Sequence, residues 1–240
     1  MASIYLIRHG QGQFGTEDYD RLSELGLRQA RLAGEQLRRS VGRIDRLLSG
    51  TLKRQRDTAE QIAGCFHASS SPPLAIHIDP RLDELDVDRQ IEHVLPLLAD
   101  PPGELTELAL LARSSSRAYQ KLLRVVYLHW QTLVSLPEDM ETWAAFSARV
   151  RSLLHTIRSE GASGDTTVLV TSGGVIATAV QQVLGAPDTS AYALFEAMMN
   201  CSITHLLHDR QRVSVASFNE GAYLLAGGST DKDSGLLTYR

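Results

Sequence analysis

Cysteine is almost missing from this chain. Cys65 and Cys201 are the only two in 240 residues, far apart and outside any C-x-x-C spacing. That usage argues against a disulfide scaffold or a cysteine-rich zinc site and fits a reducing compartment. Basic excess is lacking too: 24 Lys and Arg stand against 28 Asp and Glu, for a formal charge of −4. A nucleic-acid partner normally requires a cationic stripe, so none is expected. The arginine-dense stretch from Arg38 to Arg56 reads as a solvated helix face and loop. No apolar run approaches the roughly 20 residues needed to span a bilayer. The opening Met-Ala-Ser-Ile-Tyr-Leu-Ile meets Arg8 and His9 too early for a secretory leader. A cytoplasmic protein with no membrane partner is therefore expected. Metal motifs are missing as well, with no HExxH and no acidic calcium loop. His205 and His208 lie three apart on an expected strand and so point to opposite faces. Gly173-Gly174 does not make a dinucleotide fingerprint. No metal and no organic cofactor is implied.

What is present is an ordinary core-forming composition, 43% hydrophobic and 22% charged. Short apolar runs at Ile4–Ile7, Ile44–Leu48, Leu74–Ile78, Thr167–Val170, Ser202–Leu207 and Val213–Phe218 read as strands. Between them, helical periodicity covers Ser23–Arg39 with Ser23 as N-cap, about Leu52–Phe66, about Glu138–Ser159, and Val175–Leu184. Thr171-Ser172-Gly173-Gly174 reads as a tight turn between strand and helix. Alternation of this kind predicts an α/β three-layer sandwich, a mostly parallel sheet flanked by helices on both faces. Residues 1–228 are expected to form one domain. Within it, a helical insertion over about 90–135, broken at Pro101-Pro102-Gly103 and Ser114-Ser115-Ser116, is expected to cover the active-site end. Residues 229–240, rich in Gly, Ser and Asp, read as a loose tail.

In such sheets ligands bind beyond the carboxyl ends of the strands. Three polar clusters fall there: Arg8-His9-Gly10, Ser49 to Arg54, and Thr171 to Gly174. Arg8 sets a planar cation beside His9, and Gly10 lets a ligand approach the backbone. Neighbouring cations lower a histidine's pKa and keep the imidazole neutral. They also neutralise phosphoryl oxygens, so the cluster suits a phosphohistidine intermediate. Arg54 opens a helix whose free N–H groups already favour an anion. By spacing alone, Arg54 reads equally as a solvated helix arginine, and Glu84 as part of an acidic surface loop. Asp83, Asp86 and Asp88 crowd that loop, where mutual repulsion would raise a carboxyl pKa. Tyr119, Tyr127, Trp130 and Trp143 fall in helices and read as core or lid packing.

Taken together, these segments resemble the histidine phosphatase superfamily, which includes the cofactor-dependent phosphoglycerate mutases. Leu6-Ile7-Arg8-His9-Gly10-Gln11 is similar to its opening signature, whose histidine is phosphorylated. Leu22-Ser23-Glu24-Leu25-Gly26 with Gln29-Ala30 resembles the next helix start. Leu52 to Ala59 resembles the segment whose arginine grips phosphate, here Arg54. Arg81-Leu82-Asp83-Glu84-Leu85 resembles the segment of the acidic proton donor, here Glu84, with Asp86 as fallback. Glu141-Thr142-Trp143 with Phe146, Arg149 and Val150 is similar to a further family segment. One position departs: Ser172 stands where the family usually has a second histidine. The resemblance implies a phosphomonoester hydrolase acting on a small phosphorylated substrate. His9 and Glu84 would be catalytic, with Arg8, Arg54, Ser23, Ser172 and Gly173 binding phosphate. A mutase-like phosphotransferase and a catalytically impaired phosphate-ester-binding protein are the alternatives it leaves open.

Overall fold

Along the first strand, apolar side chains serve both faces of a sheet. Ile4 and Leu6 join one buried cluster and Ile7 the other, the two-residue period of a strand covered on both sides. The computed structural model describes residues 1–13, 20–66, 73–98, 103–112, 114–138, 140–226 and 235–239. Its strands are β1 (Ala2–Arg8), β2 (Arg46–Ser49), β3 (Ile76–Ile78), β4 (Thr166–Thr171), β5 (Ile203–His208) and β6 (Val213–Glu220), in the order β3-β2-β4-β1-β5-β6. Pairs β1–β4, β2–β4 and β2–β3 are parallel, while β5 runs antiparallel to both β1 and β6. The sheet is thus mixed, with β5 alone reversed.

The helices are α1 (Glu24–Val41), α2 (Lys53–Gly64), α3 (Val87–Val94), α4 (Glu104–Ala112), α5 (Ser116–Trp130), α6 (Trp143–Glu160), α7 (Gly173–Leu184), α8 (Ser190–Glu196) and α9 (Ala222–Ala226). On one face, Ala30, Ala33 and Leu37 of α1 and Ala59 and Ile62 of α2 pack on Ile7, Leu47, Val168 and Val170. On the other, α5, α6, α7 and α8 bury Trp130, Phe146, Val150, Ile176 and Tyr192 with Leu6, Leu48 and Leu169. None of the described helices is long and apolar enough to cross a membrane.

Element ends follow local chemistry. Ser23 caps α1, its hydroxyl accepting from Gly26 N at 3.0 Å, a bond worth about 0.5–2 kcal/mol. Helix α6 begins at Trp143 rather than Glu138, because Thr142 accepts from Ala145 N at 3.2 Å and acts as its cap. Gly173 and Gly174, expected in a turn, form the first residues of α7. Ser115 caps α5, matching the expected break there; Pro101 and Pro102 lie outside the described residues. The short helices α8 and α9 carry too few turns for a periodic signal.

Composition misleads at the C-terminus. Residues 229–234 lie outside the described residues, but 235–239 are docked, not loose. Gln29 Nε2 donates to Leu236 O at 2.8 Å and to Thr238 Oγ1 at 2.9 Å. Asn200 N donates to Thr238 O at 2.8 Å, and Thr238 Oγ1 returns a bond to Asn200 Oδ1 at 2.9 Å. Leu236 is 3% exposed. A Leu236→Ala substitution should therefore cost about 2–5 kcal/mol, read as a fall in the urea midpoint at unchanged m-value. A change within about 0.5 kcal/mol would show that the segment is not docked in solution.

Candidate active site

Four loops meet at the carboxyl ends of the parallel strands. Arg8 pairs in register with Thr171, and Ser49 with both Val170 and Ile78. The segments that follow β1, β2, β3 and β4 therefore open on one edge, around a cavity of about 420 Å³. Arg8, His9, Arg54 and Glu84 all line it. Residues separated by 75 positions in sequence are thus brought to one place.

His9 is 4% exposed. Its Nδ1 lies 2.8 Å from Gly10 O, and its Nε2 accepts from Arg54 Nε at 3.2 Å. A carbonyl can only accept and a guanidinium can only donate. These partners assign a neutral ring, protonated at Nδ1, with the Nε2 lone pair turned toward Arg54. Burial depresses its pKa well below the usual histidine value, and the charges of Arg54 and then Arg8 depress it further. The expected cationic effect is present, but burial is larger.

The loop carrying His9 is held from several directions. Gly10 N donates to Thr58 Oγ1 at 3.1 Å, and that hydroxyl donates to Arg54 O at 2.8 Å, so α2 fixes both His9 and Arg54. Gln11 N donates to Gln29 Oε1 at 2.9 Å, and Asn200 Nδ2 to His9 O at 3.2 Å. A Cβ at position 10 would come within 2.5 Å of Gly26 O, so glycine is required where this loop crosses α1. Arg8 donates through Nη1 to Met198 O.

Arg54 is oriented by Asp20, whose Oδ1 accepts from Arg54 Nη1 at 2.9 Å. Asp20 Oδ2 also accepts from Lys53 N at 2.8 Å. It caps α2 from a distance, since Leu52 at the N-cap has no polar side chain. A carboxylate thus lies at the helix start where an anion was expected.

Glu84 occupies the corresponding place on α7. Its Oε2 accepts from Gly174 N at 3.0 Å and its Oε1 from Leu85 N at 3.1 Å. A Cβ at Gly174 would collide with Glu84 Oε1, so glycine there admits the carboxyl. Burial raises the Glu84 pKa, against the pull of the Gly174 amide, Arg54, the Leu85 amide and Arg8. The expected origin, repulsion among Asp83, Asp86 and Asp88, is not among the causes. Asp83 is tied to Thr51 Oγ1 at 2.7 Å, and Asp86 lines the cavity while capping α3. Arg149 fixes the loop by donating to Arg81 O at 2.8 Å and Asp83 O at 3.0 Å, itself paired with Glu141.

Three expected phosphate contacts are placed elsewhere. Ser23 is used as the α1 cap and its hydroxyl donates to Gln11 O. Ser172 is fully buried and accepts from Gln55 Nε2 at 2.8 Å. Gly173 packs under Phe195, near Arg8 Nε. None of the three lines the cavity. Sequence reasoning missed Asp20, Thr58, Asn200 and the α8 pair Tyr192 and Phe195. Only the polar residues inside the α2 segment offered a signal for any of them.

The sequence model of the histidine phosphatase superfamily (branch 1) matches residues 4–93 and 112–221. The chain belongs to this superfamily. Residues 94–111, left unmatched, fall within the helical insertion. Among solved structures, mycobacterial glucosyl-3-phosphoglycerate phosphatase in complex with inorganic phosphate is similar at 25% identity. That match covers 92% of this chain and 98% of the other, with a TM-score of 0.63. Entamoeba histolytica phosphoserine phosphatase in complex with 3-phosphoglyceric acid shares the fold at 19% identity, over 93% and 99% of the two chains, with a TM-score of 0.61. No curated protein sequence matches significantly.

The tautomer assignment is directly testable. An ordinary histidine, with a pKa near 6.5, is mostly protonated at about pH 5.5, whereas His9 should remain neutral and protonated at Nδ1. Long-range ¹H–¹⁵N spectra at that pH check this, and imidazolium shifts would contradict it. Because the folded state resists this proton and the unfolded chain does not, stability should fall as pH drops below about 6.5 toward the folded pKa.

Proposed function

We propose that the protein is a phosphomonoester hydrolase that works through a phosphohistidine on His9. The observation that carries this reading is the Arg54 Nε–His9 Nε2 contact at 3.2 Å. It leaves an unprotonated nitrogen facing a cavity whose lining includes two guanidinium groups and a carboxyl of raised pKa.

The chemistry follows from those groups. A phosphate dianion enters between Arg8 and Arg54, whose forked donors match its oxygens. His9 Nε2 attacks phosphorus as the bond to the ester oxygen breaks, and the arginines hold the charge on the transferring group. Glu84, whose carboxyl pKa burial raises, is the acid that gives a proton to the departing oxygen. Its carboxylate then takes a proton from water, which attacks phospho-His9 and releases inorganic phosphate. Ser172, bonded to Gln55, holds the start of α7 rather than the phosphoryl group in this scheme. The similarity to a phosphatase supports hydrolysis over transfer to a second bound acceptor.

The test uses p-nitrophenyl phosphate across acidic to neutral pH. His9→Ala should lower turnover by about 10³-fold or more, and quenched wild type should carry acid-labile phosphate that the variant lacks. With an alkyl phosphate ester, whose departing oxygen needs a proton, activity should decline on the alkaline side as Glu84 ionises. Glu84→Gln should remove that decline and slow alkyl esters far more than p-nitrophenyl phosphate, whose leaving group departs as an anion. Ser172→Ala should change kcat/KM by less than about tenfold, or 1.4 kcal/mol. Equal rates for wild type and His9→Ala would sink the hydrolase reading and leave a phosphate-ester-binding protein.

A further inference from the structure

The cavity is larger than a phosphate requires, and its charge is unevenly spread. Arg8 and Arg54 provide its only Lys or Arg side chains among the described residues. Beyond Glu84, Leu85 and Val87 continue the lining, and α5 and α8 add Tyr119, Leu123, Tyr192 and Phe195. The remaining ionisable groups of that outer part are carboxylates and a phenol: Asp86, Asp88 and Glu196, all exposed, and Tyr239.

The aromatic side is fixed before any ligand arrives. Phe195 stacks on Tyr127 with ring centres 6.0 Å apart and planes 11° from parallel. Tyr192 lies 5.2 Å from the same Tyr127 ring, and its hydroxyl donates to Gln120 O at 3.2 Å, tying α8 to α5. Tyr127 in turn packs against Trp130 and Trp143. Rings held this way lose little freedom on binding a flat partner. A leaving group carrying its own carboxylate would meet Asp86, Asp88 and Glu196 in the lining, and like charges oppose binding. Among the described residues no Lys or Arg joins them in that outer part, although Arg124, outside the lining, acts on Tyr192.

We propose that this site selects phosphomonoesters whose leaving group is an aromatic ring without negative charge, seated against Tyr119, Tyr192 and Phe195, and that Asp86, Asp88 and Glu196 reject carboxylated esters. The proposal rests on the phosphatase reading for its chemistry, but the recognition it describes is measurable without turnover. It also separates this chain from a relative crystallised with 3-phosphoglyceric acid.

Calorimetry on the full chain with three non-hydrolysable probes decides it. Benzylphosphonate should bind at least tenfold tighter than methylphosphonate, which carries the same head group without a ring. It should also bind at least tenfold tighter than 4-carboxybenzylphosphonate. Phe195→Leu, which keeps apolar volume but loses the flat face, should narrow the first ratio. Glu196→Gln should narrow the second. Equal affinity for benzylphosphonate and methylphosphonate, or tighter binding of the carboxylated probe, would overturn the proposal. His9-dependent hydrolysis of benzyl phosphate is scored separately: its absence alongside selective benzylphosphonate binding would remove the phosphatase reading while the ring preference stood.

Discussion

A buried imidazole held between two guanidinium groups is the constraint around which the rest of this site is arranged. Burial first, and then two cations that cannot be neutralised at ordinary pH, hold the ring neutral with Nε2 unprotonated. The surrounding bonds maintain that state. Gly10 O accepts from Nδ1–H, Asp20 turns Arg54 so that its Nε faces Nε2, and Thr58 ties the histidine loop to α2. The two carboxylates at the helix starts have different tasks. Asp20 is partly exposed and orients a cation. Glu84 is enclosed, and burial raises its carboxyl pKa.

How these parts meet is a matter of sheet topology. Parallel strands deliver their carboxyl ends to one edge, so His9, Arg54, Glu84 and the start of α7 converge although each belongs to a different βα connection. Helices α5 and α8 set rings along a cavity whose Lys and Arg side chains, among the described residues, are confined to the end that holds His9. In the proposed scheme, binding of the phosphoryl group and selection of the leaving group are carried by different segments.

Much of this was legible in the residues. Short apolar runs announced the strands, and the capping oxygen of Ser23 marked the start of α1, because both signals are local. His9, Arg8 and Arg54 were legible because each directly follows a strand or opens a helix. What stayed hidden depends on contacts distant in sequence. Asp20 and Asn200 act through partners 34 and 191 residues away, which no periodicity encodes. Thr238 and Leu236 sit in a polar, glycine-rich segment whose composition signals disorder, yet Gln29 and Asn200 satisfy its backbone. Ser172 looked like a pocket donor by position, but its hydroxyl is bonded to Gln55 away from the cavity. For Glu84 the raised pKa was anticipated and its cause was not: enclosure, rather than neighbouring aspartates, supplies it.

The most direct test is a crystal structure of the chain soaked with vanadate, which adopts the five-coordinate geometry of a phosphoryl group in transfer. The account predicts vanadium in line with His9 Nε2, within about 2–2.5 Å as a bonded metal–imidazole contact demands, its equatorial oxygens held by Arg8 and Arg54 and an apical oxygen facing Glu84. Vanadate bound elsewhere, or held by the arginines with the His9 ring turned away, would contradict it.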